Sequence, residues 1–130
     1  MNNSNMLIDT LTPLEEILLN RFVQVISSSK DVEAIYLFGS RARGEGNIES
    51  DIDIAVVVKN RQMIQNLRQR VIETSINIEE EQDICGELML SPIVIEESLL
   101  EGNYGIGKRI RKEGVLLWSK RLKREKEKAI

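Results

Sequence analysis

The sequence predicts a small α/β (α+β) domain, a mixed β-sheet flanked by helices. Three features carry that expectation. Helical periodicity near the start of the chain is preceded by capping residues. Two short apolar runs sit on either side of a Gly-rich stretch, and a second helical pattern is followed by further short apolar runs. Strand and helix patterns alternating in this way imply a sheet layered against helices.

Taken in order, Thr12-Pro13-Leu14-Glu15 has the form of a capping box with proline at the first helical position. Leu14, Ile17, Leu18, Phe22, Val25 and Ile26 then recur at helical spacing, predicting a helix from about Pro13 to Ser28. Val32–Phe38 is short, β-branched and aromatic, and it ends at Gly39, so it reads as a strand. Asp51–Val58 reads as a second strand, and its nearly continuous apolar run implies cover on both faces. Met63, Ile64, Leu67, Val71 and Thr74 mark a helix from about Arg61 to Ser75. Glu87–Ile95 is the third strand, where Pro92 favours an edge position or a bulge. Ile106 and Ile110 indicate a short helix ending at Glu113 with Gly114 as its stop, and Val115–Trp118 returns as a short strand.

Composition bounds the chemistry. The chain has 130 residues, 42% apolar and 30% charged, which is one domain with room for a core. We divide it into an N-terminal extension, 1–12, a domain, 13–118, and a basic C-terminal tail, 119–130. The start shows neither a signal peptide nor a membrane span, and the single cysteine, Cys85, fits a reducing, cytoplasmic compartment. There is no histidine, which excludes Ser-His and Cys-His nucleophilic pairs, histidine zinc sites and imidazole bases. Catalysis here rests on carboxylates, metal ions and basic side chains. The net charge of −3 is unevenly spread: Val71–Gly107 has no Lys or Arg, while SKRLKREKEKAI at the end is basic. The tail reads as a solvated helix end diluted by Glu125 and Glu127, with nucleic-acid binding as the lesser alternative. Tyr36, Tyr104 and Trp118 are too scattered for a base-stacking platform.

The most informative stretch is FGSRARGEGNIESDIDIAVVV, Phe38–Val58. Ten residues separate Ser40 from Asp51, and Asp51-Ile52-Asp53 opens the next apolar run. On a strand the two aspartates point the same way, about 7 Å apart, with Ile52 and Ile54 on the opposite face anchoring the core. Two such carboxylates repel unless a cation lies between them, and magnesium binds through one or two carboxylates plus substrate phosphates. Gly39 lets the backbone approach a phosphate, Ser40 offers its amide and hydroxyl, and a short helix beginning near Arg41 adds its positive end. Arg41 and Arg43 can each meet phosphate in bidentate fashion, with one of the two expected on the nucleotide. Each piece alone has a plainer reading, as a solvated strand start or an ordinary turn. The combination in this order is much more specific.

FGSRARG followed by SDIDIAVVV resembles the minimal nucleotidyltransferase (MNT) branch of the DNA polymerase beta-like nucleotidyltransferase superfamily. Gly39, Ser40, Asp51 and Asp53 fill each position of that pattern, and LSPIVIEE and IRKEGVLLW resemble the family's back half. The resemblance implies a nucleoside triphosphate, ATP as the expected donor, bound with Mg2+ at Asp51 and Asp53. Gly39 and Ser40 are the expected nucleotide-binding positions, with Arg41 and Arg43 as the candidate arginines beside them. It implies transfer of a nucleotide monophosphate to a hydroxyl as pyrophosphate leaves.

One position departs from the pattern. Relatives usually carry a third carboxylate on the strand after the Asp-x-Asp strand, where Ser91 falls here; Glu87, four residues earlier, substitutes only if the register shifts. Stand-alone MNT proteins resemble the antitoxin halves of toxin–antitoxin pairs whose partner is a HEPN-type ribonuclease. The resemblance therefore implies a protein acceptor, and the doubtful carboxylate keeps a second reading alongside, a binding module that neutralises its partner by occlusion. Transfer to a small molecule or an RNA end is a third, weaker option.

Overall fold

The computed structural model describes residues 11–44, 51–84 and 89–128. Helix α1, Pro13–Ile26, starts with the full reciprocal capping box: Thr12 N–H donates to Glu15 Oε1 (2.8 Å) and Glu15 N–H to Thr12 Oγ1 (3.2 Å). Its buried face is Leu18, Leu19, Phe22 and Ile26. Strand β1, Val32–Phe38, has the predicted bounds, and a single helical turn, α2, Ser40–Arg43, follows it. Strand β2 runs Ile52–Val58, so Asp51 lies immediately before it.

Helix α3, Arg61–Glu81, is six residues longer than its periodicity suggested. Asn60 caps it by accepting the Met63 N–H (3.4 Å). Ile78 extends the buried stripe of Leu67, Val71 and Thr74 by one more turn. The Ser75 hydroxyl donates to the Val71 carbonyl (3.1 Å), which satisfies inside the helix a residue that otherwise favours helix ends. Strand β3 is Leu90–Glu96, followed by a 3₁₀ turn, Glu97–Glu101, that sequence reading did not anticipate. Its edge position suits Pro92, which has no N–H to donate. Helix α4, Gly105–Glu113, strand β4, Val115–Ser119, and helix α5, Lys120–Lys128, complete the chain. Gly114 stops α4 in extended rather than left-handed conformation; a Cβ there would collide with the Ile110 carbonyl, so close approach, not positive φ, requires glycine.

The sheet order is β3-β2-β1-β4, mixed as expected: β1 is antiparallel to β2 and β4, and β2 is parallel to β3. Both faces are covered. Ile52, Ile54, Val56 and Val58 point into the larger core with α1 and α3. Ala55, Val57, Ala34, Phe38 and Ile95 form a smaller core beneath Ile110 of α4. By strand alternation, Asp53 belongs to this second face, the one α4 roofs. Among the described residues, no helix is long and apolar enough to cross a membrane.

Candidate active site

The site forms where β1 ends, the chain turns, and β2 begins. Asp53 is the register partner of Phe38, the last residue of β1, so its carboxylate lies over the turn at Gly39. Gly39 has φ +77°, and a Cβ there would strike the Asp53 carboxylate at Oδ2. Both the left-handed backbone and the close approach demand glycine. The turn closes on itself, with the Ala42 and Arg43 N–H groups donating to the Gly39 carbonyl (3.1 and 3.2 Å). Ser40 opens the turn and is half-buried. Gly44, φ +76°, ends it. With only one helical turn, α2 is too short to supply the helix dipole expected of it.

Asp51 is exposed and Asp53 half-buried. Burial, aided by the negative charge of Asp51, holds the Asp53 carboxyl above its usual range, while Arg109 and Arg43 pull it back. The two carboxylates therefore repel within one small volume. A divalent cation relieves that repulsion, and the donor set, carboxylates beside a glycine-walled turn, suits magnesium with phosphate oxygens. Among the described residues, no group of three or more acidic or cysteine side chains gathers to hold a metal. Ser91 is the register partner of Asp53 on the neighbouring parallel strand, as the sequence indicated. Glu87 and Cys85 lie outside the described residues.

The two arginines of the motif part company. Arg41 is 2% exposed, and its guanidinium forks onto Glu15, Nη1 to Oε1 and Nη2 to Oε2, both at 2.7 Å. Its side chain is thus built into the core, tying α2 to the start of α1. Burial opposes the charge on Glu15, but hydrogen bonds and charge from Arg41, with hydrogen bonds from Thr12, more than offset it and lower its pKa. Arg43 turns the other way and pairs with Glu113 at 3.0 Å.

Sequence reading missed Glu15 as a partner for Arg41, 26 positions away. It also missed Arg109 and Glu113, which α4 brings over the site, with Arg109 Nε 3.5 Å from Glu113. The helical spacing of Ile106 and Ile110 was visible in the sequence. What α4 would cover was not, because that depends on the sheet's strand order.

With this geometry in hand, comparison with known proteins places the chain. The family profile described as "Polymerase beta, Nucleotidyltransferase" matches residues 20–123. The chain belongs to the polymerase beta nucleotidyltransferase family. No curated protein matches it. Among solved structures, it is similar to a candidate nucleotidyltransferase from Sulfolobus solfataricus: 24% identity, 88% of this chain and 94% of that one, TM-score 0.44. It is also similar to a toxin–antitoxin structure with AMP-PNP: 19% identity, 83% and 76% covered, TM-score 0.48. A third is the complex of a tri-AMPylated Shewanella oneidensis HEPN toxin with its MNT antitoxin: 18% identity, 83% and 77% covered, TM-score 0.44.

Proposed function

We propose that this chain is a magnesium-dependent nucleotidyltransferase that moves AMP from ATP to a hydroxyl group. The observation that carries the reading is Asp53 stacked on the Gly39 turn with Asp51 beside it, inside a chain of this family. The turn accepts the triphosphate: Gly39 removes the side chain that would block approach, Ser40 offers its hydroxyl and amide, and Arg43 faces the phosphates. Arg41 acts at a distance, by holding the turn through Glu15. Asp51 and Asp53 hold magnesium, which when bound neutralises charge and aligns the oxygens of an in-line displacement. The acceptor oxygen bonds to the α-phosphorus, and the bond from that phosphorus to the α,β-bridging oxygen breaks. Pyrophosphate leaves, and the acceptor's proton passes to water. Positioning and charge neutralisation supply the rate, since no covalent enzyme intermediate is needed.

The acceptor in this reading is a protein, a HEPN-type ribonuclease paired with this chain as its antitoxin, in the cytoplasm. That part rests on the sequence resemblance of FGSRARG and SDIDIAVVV alone. The transferase unit is read as 13–118, with 1–12 as an extension and 119–130 as a basic tail. Asp51→Asn and Asp53→Asn are each expected to abolish transfer while the folded protein keeps its circular dichroism. Transfer retained by both overturns the proposal.

A second reading is favoured by one observation, Ser91 opposite Asp53 where a third carboxylate would complete the metal site. In it the chain is a binding module that neutralises the ribonuclease by occlusion. It predicts that the same two variants still bind and neutralise.

A further inference from the structure

Glu113 sits where helix physics does not want it. It is the last residue of α4, at the negative end of the helix dipole, where an acidic side chain is disfavoured. Its helical neighbour Arg109 stands four residues before it, the less favourable order for such a pair. Yet this one carboxylate oxygen receives two guanidiniums from different elements, Arg43 from the turn after β1 (3.0 Å) and Arg109 from α4 (3.5 Å). Both arginines also exert their charge on Asp53, so the cluster borders the carboxylate pair. Two forked cations converging on one oxyanion, next to a metal-type acidic pair, form the constellation that a polyphosphate tail requires.

We propose that Arg109, together with Arg43, grips the β- and γ-phosphates of the nucleoside triphosphate, and that Glu113 is an internal stand-in for that phosphate, displaced when nucleotide binds. This rests on the nucleotidyl-transfer reading and adds to it a substrate-binding residue from α4 and a built-in competitor. The exchange is inexpensive because the ion pairs it breaks are partly exposed, Arg109 at 57% and Arg43 at 33%, and such pairs are individually weak. A phosphate brings more charge and more acceptor oxygens than the carboxylate it replaces. Displaced, Glu113 swings toward solvent, and α4 stays packed through Ile110.

The test is calorimetric titration of the full-length protein with MgATP, tripolyphosphate and AMP. Three variants are compared with wild type: Glu113→Gln, Arg109→Ala and Arg109→Lys. Removing the competitor in Glu113→Gln is expected to tighten MgATP and tripolyphosphate several-fold. Arg109→Ala is expected to weaken both about tenfold or more, the size of a lost charge-assisted contact, with Arg109→Lys recovering part. AMP, which lacks the outer phosphates, is expected to bind all four proteins alike. Unchanged or weaker MgATP binding in Glu113→Gln overturns the stand-in role, because a purely structural tie between α4 and the turn can only loosen the site when cut. Binding that needs Asp51 and Asp53 but ignores Arg109 overturns the phosphate grip while leaving nucleotide binding intact. Wild type that binds no MgATP at all overturns both this inference and the reading beneath it. Arg109 is exposed, so its variants fold, and tripolyphosphate competition against MgATP on wild type checks the site without any substitution.

Discussion

Replacing Asp53 by asparagine is expected to stabilise the protein while removing its chemistry. The folded-state pKa of Asp53 is raised, chiefly by burial and then by Asp51, above its ordinary value of 3.8. Below about 3.8 the group is protonated folded or unfolded and costs nothing. As pH rises from there through the raised folded value, the folded state loses stability, and above that value the whole penalty is present. In metal-free buffer, thermal melts of Asp53→Asn are therefore expected to exceed wild type at pH 7 and to converge with it near pH 3. Equal melting points at pH 7 would contradict the strained carboxylate pair. Magnesium is expected to raise the wild-type melting point more than that of the variant, since a ligand that binds only the native state stabilises it. Gly39→Ala probes the same contact from the other side. Its Cβ meets the Asp53 carboxylate at a φ of +77°, so transfer is expected to fall by orders of magnitude with a cooperative melt retained. At this scale the sequence was readable wherever spacing alone determines position, as for Gly39, Ser40, Asp51 and Asp53. It was not readable for Arg41 and Arg43, two positions apart on a single turn. Only the packing of α1 decides which of them goes into the core.

Among the elements, the Glu15–Arg41 fork ties helix α1 to the turn after β1 and belongs to neither alone. Glu15 Oε1 takes both the Thr12 N–H and one arm of Arg41, so one carboxylate caps a helix and neutralises a buried guanidinium. Glu15→Ala strands that charge and is expected to cost about 3–5 kcal/mol in chemical denaturation. The Glu15→Met/Arg41→Met pair is expected to regain much of it, and an additive loss in the double variant would count against the ion pair. Because the folded pKa of Glu15 is lowered from 4.5, its contribution is present above 4.5 and lost as acid titrates it through the lower folded value. Gly107 makes a similar demand on the other face, where a Cβ would enter the Leu99 carbonyl. Gly107→Ala is expected to lift α4 and cost roughly 1–3 kcal/mol. Local signals served well for the capping box of α1, the bounds of β1 and the edge position of β3. They stopped short on α3, because its last turn is held by tertiary contacts: Glu79 accepts the Met89 N–H at 2.5 Å, joining the helix end to the start of β3. The 3₁₀ turn at Glu97–Glu101 has no periodic pattern to betray it.

At the scale of the whole molecule, the sheet separates structure from chemistry. The α1/α3 face carries the larger apolar core, and the opposite face carries Asp53, Ser91 and the roof of α4. Alternation along β2 enforces this division, since Ile52 and Ile54 are fully buried on one face of the strand while Asp53 between them points to the other. This arrangement could be foreseen from strand spacing, but the arginine cluster above Asp53 could not, because it joins residues 43, 109 and 113 through the strand order. The central claim is nucleotidyl transfer, and ATP labelled at its α-phosphate tests it most directly. The purified protein, with magnesium and a lysate of the cell it comes from, is compared with the Asp51→Asn/Asp53→Asn double variant. Label appearing in one protein band with wild type alone is the predicted result. No label in any band, while a partner protein from the same lysate still binds tightly, would contradict it and leave the fold serving as a binding module.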